Sequence, residues 1–582
     1  MESTLTVQEP ETQPPSTLRI AADCLLIAVV FWAARHIHHT GFGFYEDDFT
    51  LVVWAMKSPW HEVWEFVYGL ITQFGGQGRP LQHSLIAILA HATGRFGGIM
   101  AAQWLSYMIV TINCVLFYLL LNKIFNRSYA ILSVLAYSLF SADTTQAFVY
   151  HALGLQQSLT FFLLASLAYI SGRRTISYFL ILGTLLSYET PYLAFILVPL
   201  LERRLTKSKL RELLFHTLIL LSMFLAVIGL RLITGEGRVA ALSFTDLITV
   251  PLSHMIQGPI VALGNYIYRP IQAIQHLNTE MILLLAIAFP VFSWIILKLK
   301  FSNKRNPSSP SDTIANHDQN EIESDLRRKL SKWKEQEEYA FSIRLTLIGI
   351  GMLILTYPLT FTIRAYALSG RDTRVHFGAV IGAAIVWASI WYLILAYVEH
   401  NKKKKVAVFT LAGLFSLLLA FGLVVQWDYQ KAWRLQQDLW SDVVDFVPDL
   451  DDGTVILVDP EGLDDTIYID ANTWNLPLVM GYIYEFPADW QSPPRVHRLL
   501  PDWRDRALLN SDEIKAVDYK WEYVVVPWKD AVILETDDGR IVRRLESVEL
   551  DGATYDLKKP ENDQTAKFPK GYLYDALILD TR

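Results

Sequence analysis

The 582-residue chain is 52% hydrophobic and 13% aromatic, with a mean hydropathy of +0.26. That is too apolar for an ordinary soluble domain and fits a chain dissolved in lipid. A net charge of −7 excludes a nucleic-acid-binding surface as the organising feature. The two cysteines, Cys24 and Cys114, both lie inside apolar runs, where a thiol is a small packed hydrophobe. They imply neither a disulfide framework nor a metal site.

Residues 1–17 read as a disordered, cytoplasmic N-terminus. Beyond them come apolar runs approaching the roughly 20 residues that cross a hydrocarbon core of about 30 Å. They centre on 18–37, 99–122, 128–142, 151–171, 174–188, 189–201, 212–234, 279–298, 342–360, 375–398 and 406–425, which predicts a polytopic α-helical membrane domain over 18–425 with about eleven spans. The first run lacks the basic start of a signal peptide and is followed by many more spans, so it is expected to stay as an anchor. At "SYETP", Pro191 removes a helical hydrogen bond, which predicts two short helices meeting at a turn.

Basic loops lie near residues 122, 172, 202, 298–334 and 401. All five fall on the cytoplasmic side if the N-terminus is cytoplasmic and the run 81–93 does not cross. This leaves a first external loop at 38–98 with juxtamembrane helices in "DFTLVVWAM" and "HEVWEFVYGLI", and a cytoplasmic linker at 299–341. From about 426 the membrane-length runs stop. The stretches "TVILVDP", "EYVVVPW" and "AVILET", separated by turns such as "TDDGR", predict a small extracytoplasmic α/β domain over 426–582. "DLDDG" at 449–453 lacks the EF-hand pattern and reads as a turn.

With that topology the acids and arginines sort to one external face. The first loop carries "GFGFYEDDFT" with Glu46, Asp47 and Asp48, and then Arg79 in "GQGRPL". Asp143 lies in "SADTTQAFVYHA", Glu189 in "SYETP", and Arg371 and Arg374 in "SGRDTRV". Carboxylates beside arginines at a lipid surface suit transfer from a lipid-linked phosphate. The phosphate is already a good leaving group, so a carboxylate base for the acceptor hydroxyl is what remains to be supplied. Arginines would hold the phosphate by paired charge-assisted hydrogen bonds. Each assignment has a plainer competitor: Asp47 and Asp48 as solvated or capping acids, Arg79, Arg371 and Arg374 as interfacial anchors, and Asp143 as the cap of a helix beginning at Thr144. Glu189 between two short spans is costly unless it faces a cavity.

A first span, an external loop with an acidic pair, an "RPL" element later in that loop, many further spans and a soluble C-terminal domain together resemble the GT-C superfamily of integral membrane glycosyltransferases. That superfamily includes protein O-mannosyltransferases and aminoarabinose transferases. The resemblance implies inverting transfer of a sugar from a polyprenyl-phosphate donor to an extracytoplasmic acceptor, whether glycan, lipid or protein. It makes Asp47 or Asp48 the base, with Asp47 favoured, and Arg79 a phosphate ligand. Asp143 matches a second-loop acid of some relatives. The sequence departs at "SYETP", where several relatives carry lysine, and no "WWDYG"-like motif appears, which argues against an oligosaccharyltransferase.

The imidazoles of "RHIHH", His36, His38 and His39, stand just before the acids, but their spacing is no regular zinc signature and no metal ligands are assigned. Imidazoles beside carboxylates invite a zinc or manganese reading, and a divalent metal, Mg or Mn, stays open as a cofactor. The rival reading is a multi-span transporter or flippase of a lipid-linked or anionic substrate. The sequence shows no matching halves, and the charges gather at one face. A structural or receptor protein working through its C-terminal domain is the third reading.

Overall fold

The computed structural model describes residues 17–202, 207–235, 243–301, 338–360, 364–399 and 402–579, less short stretches at 464, 473–474, 502, 505–512, 519–522, 551 and 560–567. Most of the expected 299–341 linker lies outside the described residues.

Among the described residues, eight helices are long and apolar enough to cross a membrane: Thr17–Gly41, Gly98–Ile124, Val149–Ile170, Ser208–Ile233, Thr279–Lys298, Glu338–Leu355, Val380–Val398 and Lys404–Phe446. The chain is thus a polytopic helical membrane protein. The other expected runs form shorter pieces, Arg127–Ser138, Arg174–Ser187 and Tyr192–Leu201. At 1.5 Å per residue a 12-residue helix reaches only about 18 Å, so these pieces are fillers of the bundle by length. The break at "SYETP" falls where Pro191 requires it, with Glu189–Pro191 forming the turn between two of them.

One helix was not anticipated. Phe244–Gln275 runs 32 residues with Pro251, Pro259 and Pro270 inside it, and the prolines and polar residues interrupt the apolar run that would have revealed it. It is nonetheless amphipathic. Ile248, Leu252, Ile256, Ile260, Ile267 and Ile271 are exposed along one side, at the spacing of a helical stripe. On the other side Tyr266 stacks on Trp387 at 4.8 Å and donates to the Ala136 carbonyl at 2.8 Å. Gly258 permits this approach, because a Cβ there would lie 2.3 Å from the Tyr357 ring.

The two ends of the bundle differ in chemistry. At one end the basic loops meet: Lys123 donates to Ser171 at 2.6 Å, Ser128 to the Lys300 carbonyl at 2.8 Å, and Arg174 to Glu212 at 2.6 Å. A buried Asp23 in the first helix is bound by Arg127 (2.5 and 2.7 Å) and by the Tyr118 hydroxyl (2.6 Å). At the other end lie the first loop, the "SYETP" turn, the Arg371–His376 turn and the C-terminal domain.

The last membrane-length helix does not stop where the composition changes near 426. It continues to Phe446, 43 residues or roughly 65 Å in one piece. Residues after 426 such as Gln, Lys, Arg and Leu favour helix once lipid is left behind. The extension docks on the C-terminal domain through Asp442, which takes two bonds from Arg540 at 2.8 Å and one from the Ile541 amide at 3.1 Å.

Among the described residues that domain holds eight strands: β1 (Val455–Val458), β2 (Arg495–Leu499), β3 (Glu513–Val517), β4 (Tyr523–Pro527), β5 (Ala531–Asp537), β6 (Arg540–Arg544), β7 (Ser547–Leu550) and β8 (Ala553–Asp556). Six form one sheet in the order β4-β3-β2-β1-β5-β6, with β1 parallel to both β2 and β5 and the remaining pairs antiparallel. Helix Leu476–Ile483 lies in the β1–β2 crossover. "TDDGR" makes the β5–β6 hairpin, with Asp538 and Gly539 both at positive φ, as a two-residue turn of this twist requires. "DLDDG" is a turn as expected, its Asp452 carboxylate taken by the Gln491 and Ser492 amides.

Candidate active site

The first loop is fixed to the long last helix by aromatic side chains. Phe42, Phe44 and Tyr45 are buried, and the Tyr45 hydroxyl donates to the Tyr429 carbonyl at 2.8 Å. Gly43 lies flat on Trp433, where a Cβ would fall 1.8 Å from the ring. Gln103 and Gln436 donate to the carbonyls of Gly43 and Phe44 at 3.1 and 3.0 Å, so the non-helical backbone keeps its bonds away from water.

This anchoring sends the three adjacent acids in different directions. Asp48 turns inward and accepts from the Tyr45 amide at 2.9 Å and the Tyr150 amide at 2.8 Å. Burial pushes its carboxyl well above the usual range, against the pull of those two N–H groups. Glu46 adopts φ +41°, a left-handed conformation costly for a residue with a side chain. It meets Arg371 Nη1 at 3.0 Å and the Asp470 amide of the C-terminal domain at 3.4 Å. Burial raises it to about 8, with Arg371 opposing and Asp470 and Asp47 adding to the rise. Asp47 lies 3.8 Å from Arg371 Nη1 and 3.7 Å from Arg374 Nη1. Asp47 keeps 16% of its side chain accessible and Glu46 none, so Asp47 is the acid of this pair that an incoming molecule can touch.

Arg371 and Arg374 stand on the 3₁₀ turn Arg371–His376. Burial alone would weaken Arg371 as a cation, but Glu46 and Asp47 outweigh it and hold it firmly charged. The turn is secured from below by Thr373, bonded to Thr144 (2.9 Å), and from above by the Gly370 amide on the Ile467 carbonyl (2.8 Å). Arg374 also reaches His151 Nε2 at 3.4 Å.

Asp143 lies close by in sequence to that support but does not join the arginines. It accepts from the Thr145 amide and hydroxyl at 2.9 and 2.7 Å, and burial raises its carboxyl. The helix after it begins at Val149, not at Thr144, so Asp143 orders a loop rather than capping a helix.

Arg79 and Glu189 form a second group. Arg79 binds Glu189 through two bonds of 2.9 and 2.6 Å, and Arg231 reaches the same carboxylate at 3.3 Å while donating twice to the Gly78 carbonyl (3.2 and 3.0 Å). Burial alone would raise Glu189, but Arg79 and Arg231 prevail and hold it at about 2. The Arg79 guanidinium lies over the Tyr188 ring at 4.3 Å, and Tyr188 in turn meets Phe377, next to the Arg371–His376 turn, at 5.6 Å. On the other side Tyr150 links the groups, its amide on Asp48 and its hydroxyl 3.1 Å from His83, whose Nδ1 meets the Arg79 carbonyl at 3.3 Å. Two charged clusters therefore share one end of the bundle and common aromatic walls.

The histidines of "RHIHH" diverge. His36 packs against Phe31 and Tyr107, His38 pairs with Glu280 at 2.7 Å, and His39 stands edge-on to Trp104. Among the described residues no group of three or more His, Cys, Asp or Glu is arranged to hold a metal ion.

Two participants, Arg231 and His151, escaped the sequence reading, and a third, Glu46, was named without a role. Arg231 had a usable signal, being an arginine at the end of a span where basic residues should be scarce. Glu46 was seen only as one of a triplet. His151 carried no signal, since a histidine at the start of an apolar run is ordinary. Compared with known proteins, the chain matches no family model and no curated protein. What the fold defines is the class, a polytopic helical membrane protein with an acid–arginine site at the end that carries its soluble domain.

Proposed function

We propose that this chain is a membrane glycosyltransferase that moves a sugar from a polyprenyl-phosphate donor to an extracytoplasmic acceptor, with inversion and Asp47 as base. The observation carrying this reading is the Asp47 carboxylate set 3.7–3.8 Å from two guanidiniums on a loop at the bundle's end. The acceptor hydroxyl gives its proton to Asp47 and its oxygen bonds to the anomeric carbon. The carbon–oxygen bond to phosphate breaks, and its electron pair leaves with the phosphate, whose charge Arg371 and Arg374 receive. Asp48, with both oxygens on backbone amides, positions the loop and takes no proton from substrate. Arg79, bound twice by Glu189, braces the wall beside this site and is not asked to bind the phosphate in this reading. The N-terminus and basic loops are cytoplasmic in this reading, and the C-terminal domain faces outward.

The test is transfer from radiolabelled polyprenyl-phosphate sugars by the purified protein in liposomes, with envelope extracts as acceptor. Transfer that Asp47→Asn abolishes while the variant remains folded and inserted supports the reading. Absence of transfer from every donor, together with movement of a lipid-linked or anionic substrate across the bilayer, would make the chain a transporter instead.

A further inference from the structure

The loop that leaves the carboxyl end of β1 does not stay with its own domain. Its residues 465–472 lie against the end of the bundle. Asp428, on the last long helix, accepts from the Ile467 amide at 3.0 and 3.1 Å and from the Tyr468 amide at 2.6 Å. Lys431, one turn further along that helix, pairs with Asp465. Tyr468 is buried, its ring edge-on to Phe421 at 5.6 Å and facing the Arg269 guanidinium at 5.6 Å. The segment is thus pegged to two membrane helices, Lys404–Phe446 and Phe244–Gln275, by side chains.

Two backbone groups of the pegged segment then reach the acid–arginine site. The Ile467 carbonyl accepts from the Gly370 amide at 2.8 Å, directly before the turn that bears Arg371 and Arg374. Three residues on, the Asp470 amide donates to Glu46 Oε1 at 3.4 Å, while Glu46 Oε2 accepts from Arg371 Nη1 at 3.0 Å. Arg371 therefore has two supports, one beside its backbone and one at its guanidinium, and both touch the segment that Asp428 holds. In open α/β sheets the loops at the carboxyl ends of parallel strands are where sites are built, and this loop leaves such an end. We infer that residues 467–470 are a wall of the acid–arginine site and that Asp428 is its positioning residue, setting Arg371 at its 3.8 Å from Asp47. The effect on rate rests on the proposed transfer. No proton passes through Asp428, whose two oxygens are both taken by backbone amides. The soluble domain is by this inference a working part of the site.

The experiment reads the wall through a thiol. In the full chain in lipid nanodiscs, with Cys24 and Cys114 replaced by alanine, Glu46→Cys puts sulfur where the native side chain has no exposed surface. Labelling by a water-soluble maleimide should be slow, and adding Asp428→Ala should speed it about 10-fold, the change one lost charge-assisted bond makes in an opening equilibrium. Asp428→Asn keeps one acceptor oxygen and should fall between. Asp452→Ala is the control, because it removes the same kind of bond, a carboxylate on the Gln491 and Ser492 amides, from another turn of the domain. It should leave labelling unchanged. Similar melting temperatures in the two alanine variants separate an opened wall from an unfolded domain. With Glu46 and both cysteines native, Asp428→Ala should lower transfer turnover about 10–100-fold and change the donor KM little, while Asp452→Ala keeps both. Labelling that stays slow in Asp428→Ala, or that Asp452→Ala speeds as much, would overturn the wall. Fast labelling with wild-type turnover would overturn the positioning role. A wild-type chain that transfers no sugar would sink the transfer reading, and with it the effect on rate, while the labelling rates still decide whether 467–470 cover Glu46.

Discussion

Two groups of arginine and carboxylate stand at the same end of this bundle, and they are finished to different degrees. Around Glu189, two guanidiniums converge on one carboxylate with bonds down to 2.6 Å, and Arg231 is further tied to the Gly78 carbonyl. Around Asp47, the guanidiniums stop at 3.7 and 3.8 Å, beyond hydrogen-bond length, and a buried arginine nitrogen and a buried imidazole nitrogen go without partners. The same residue types therefore make a closed clamp in one place and an open one in the other. Complete pairing holds the fold together at Glu189, whereas at Asp47 two guanidiniums approach a partly accessible carboxylate without closing on it.

The largest effect that tests this contrast is at Asp47. If it is the base, Asp47→Asn removes about 10²–10⁴ of the transfer rate. It should change the melting temperature little, because no short bond is lost. The reverse behaviour is expected of Glu189→Gln. Breaking a buried pair leaves unmatched charge and costs about 3–5 kcal/mol, read as a large fall in thermal stability in detergent. The wild-type protein should lose the same contribution on acidification. Glu189 is held at about 2 against an ordinary value of 4.5, so its stabilisation is complete above pH 4.5 and fades as pH falls toward 2. A Glu189→Gln variant that is fully stable but inactive would move the clamp into the chemistry and erase the distinction.

How much of this was legible in the sequence follows from what each signal depends on. Long apolar runs are properties of local sequence, so eight of the eleven expected spans, the turn at Pro191 and the strands of "TVILVDP" and "AVILET" were readable. Phe244–Gln275 was not, because its apolar residues are confined to a stripe and three prolines punctuate it; only packing against Trp387 and Tyr357 reveals how it is held. Glu46, Asp47 and Asp48 were visible as a cluster, but their division of labour depends on φ at Glu46 and on backbone amides of Tyr45 and Tyr150, neither of which composition encodes. Arg79 and Glu189 were each selected, but their mutual bond joins residues 110 positions apart. Sequence alone gave no reason to join them.

A prediction of opposite sign concerns Glu46, which lies between the two kinds of group. It has a 3.0 Å bond to Arg371, yet burial raises it from 4.5 to about 8. Between those values the folded protein keeps a proton there that the unfolded chain has lost. Raising pH through this window therefore withdraws stability, the opposite sign to Glu189, at a limit of about 1.4 kcal/mol per pH unit for a single group. Glu46→Gln mimics the protonated form and should escape that loss. Its melting temperature relative to wild type is expected to rise steadily from pH 5 to pH 8 and then level off. A constant difference across that range would mean that Arg371 keeps Glu46 ionised throughout. The acid pair would then be as fully matched as the Glu189 clamp, and the open character of the site would rest on Asp47, Arg374 and His151 alone.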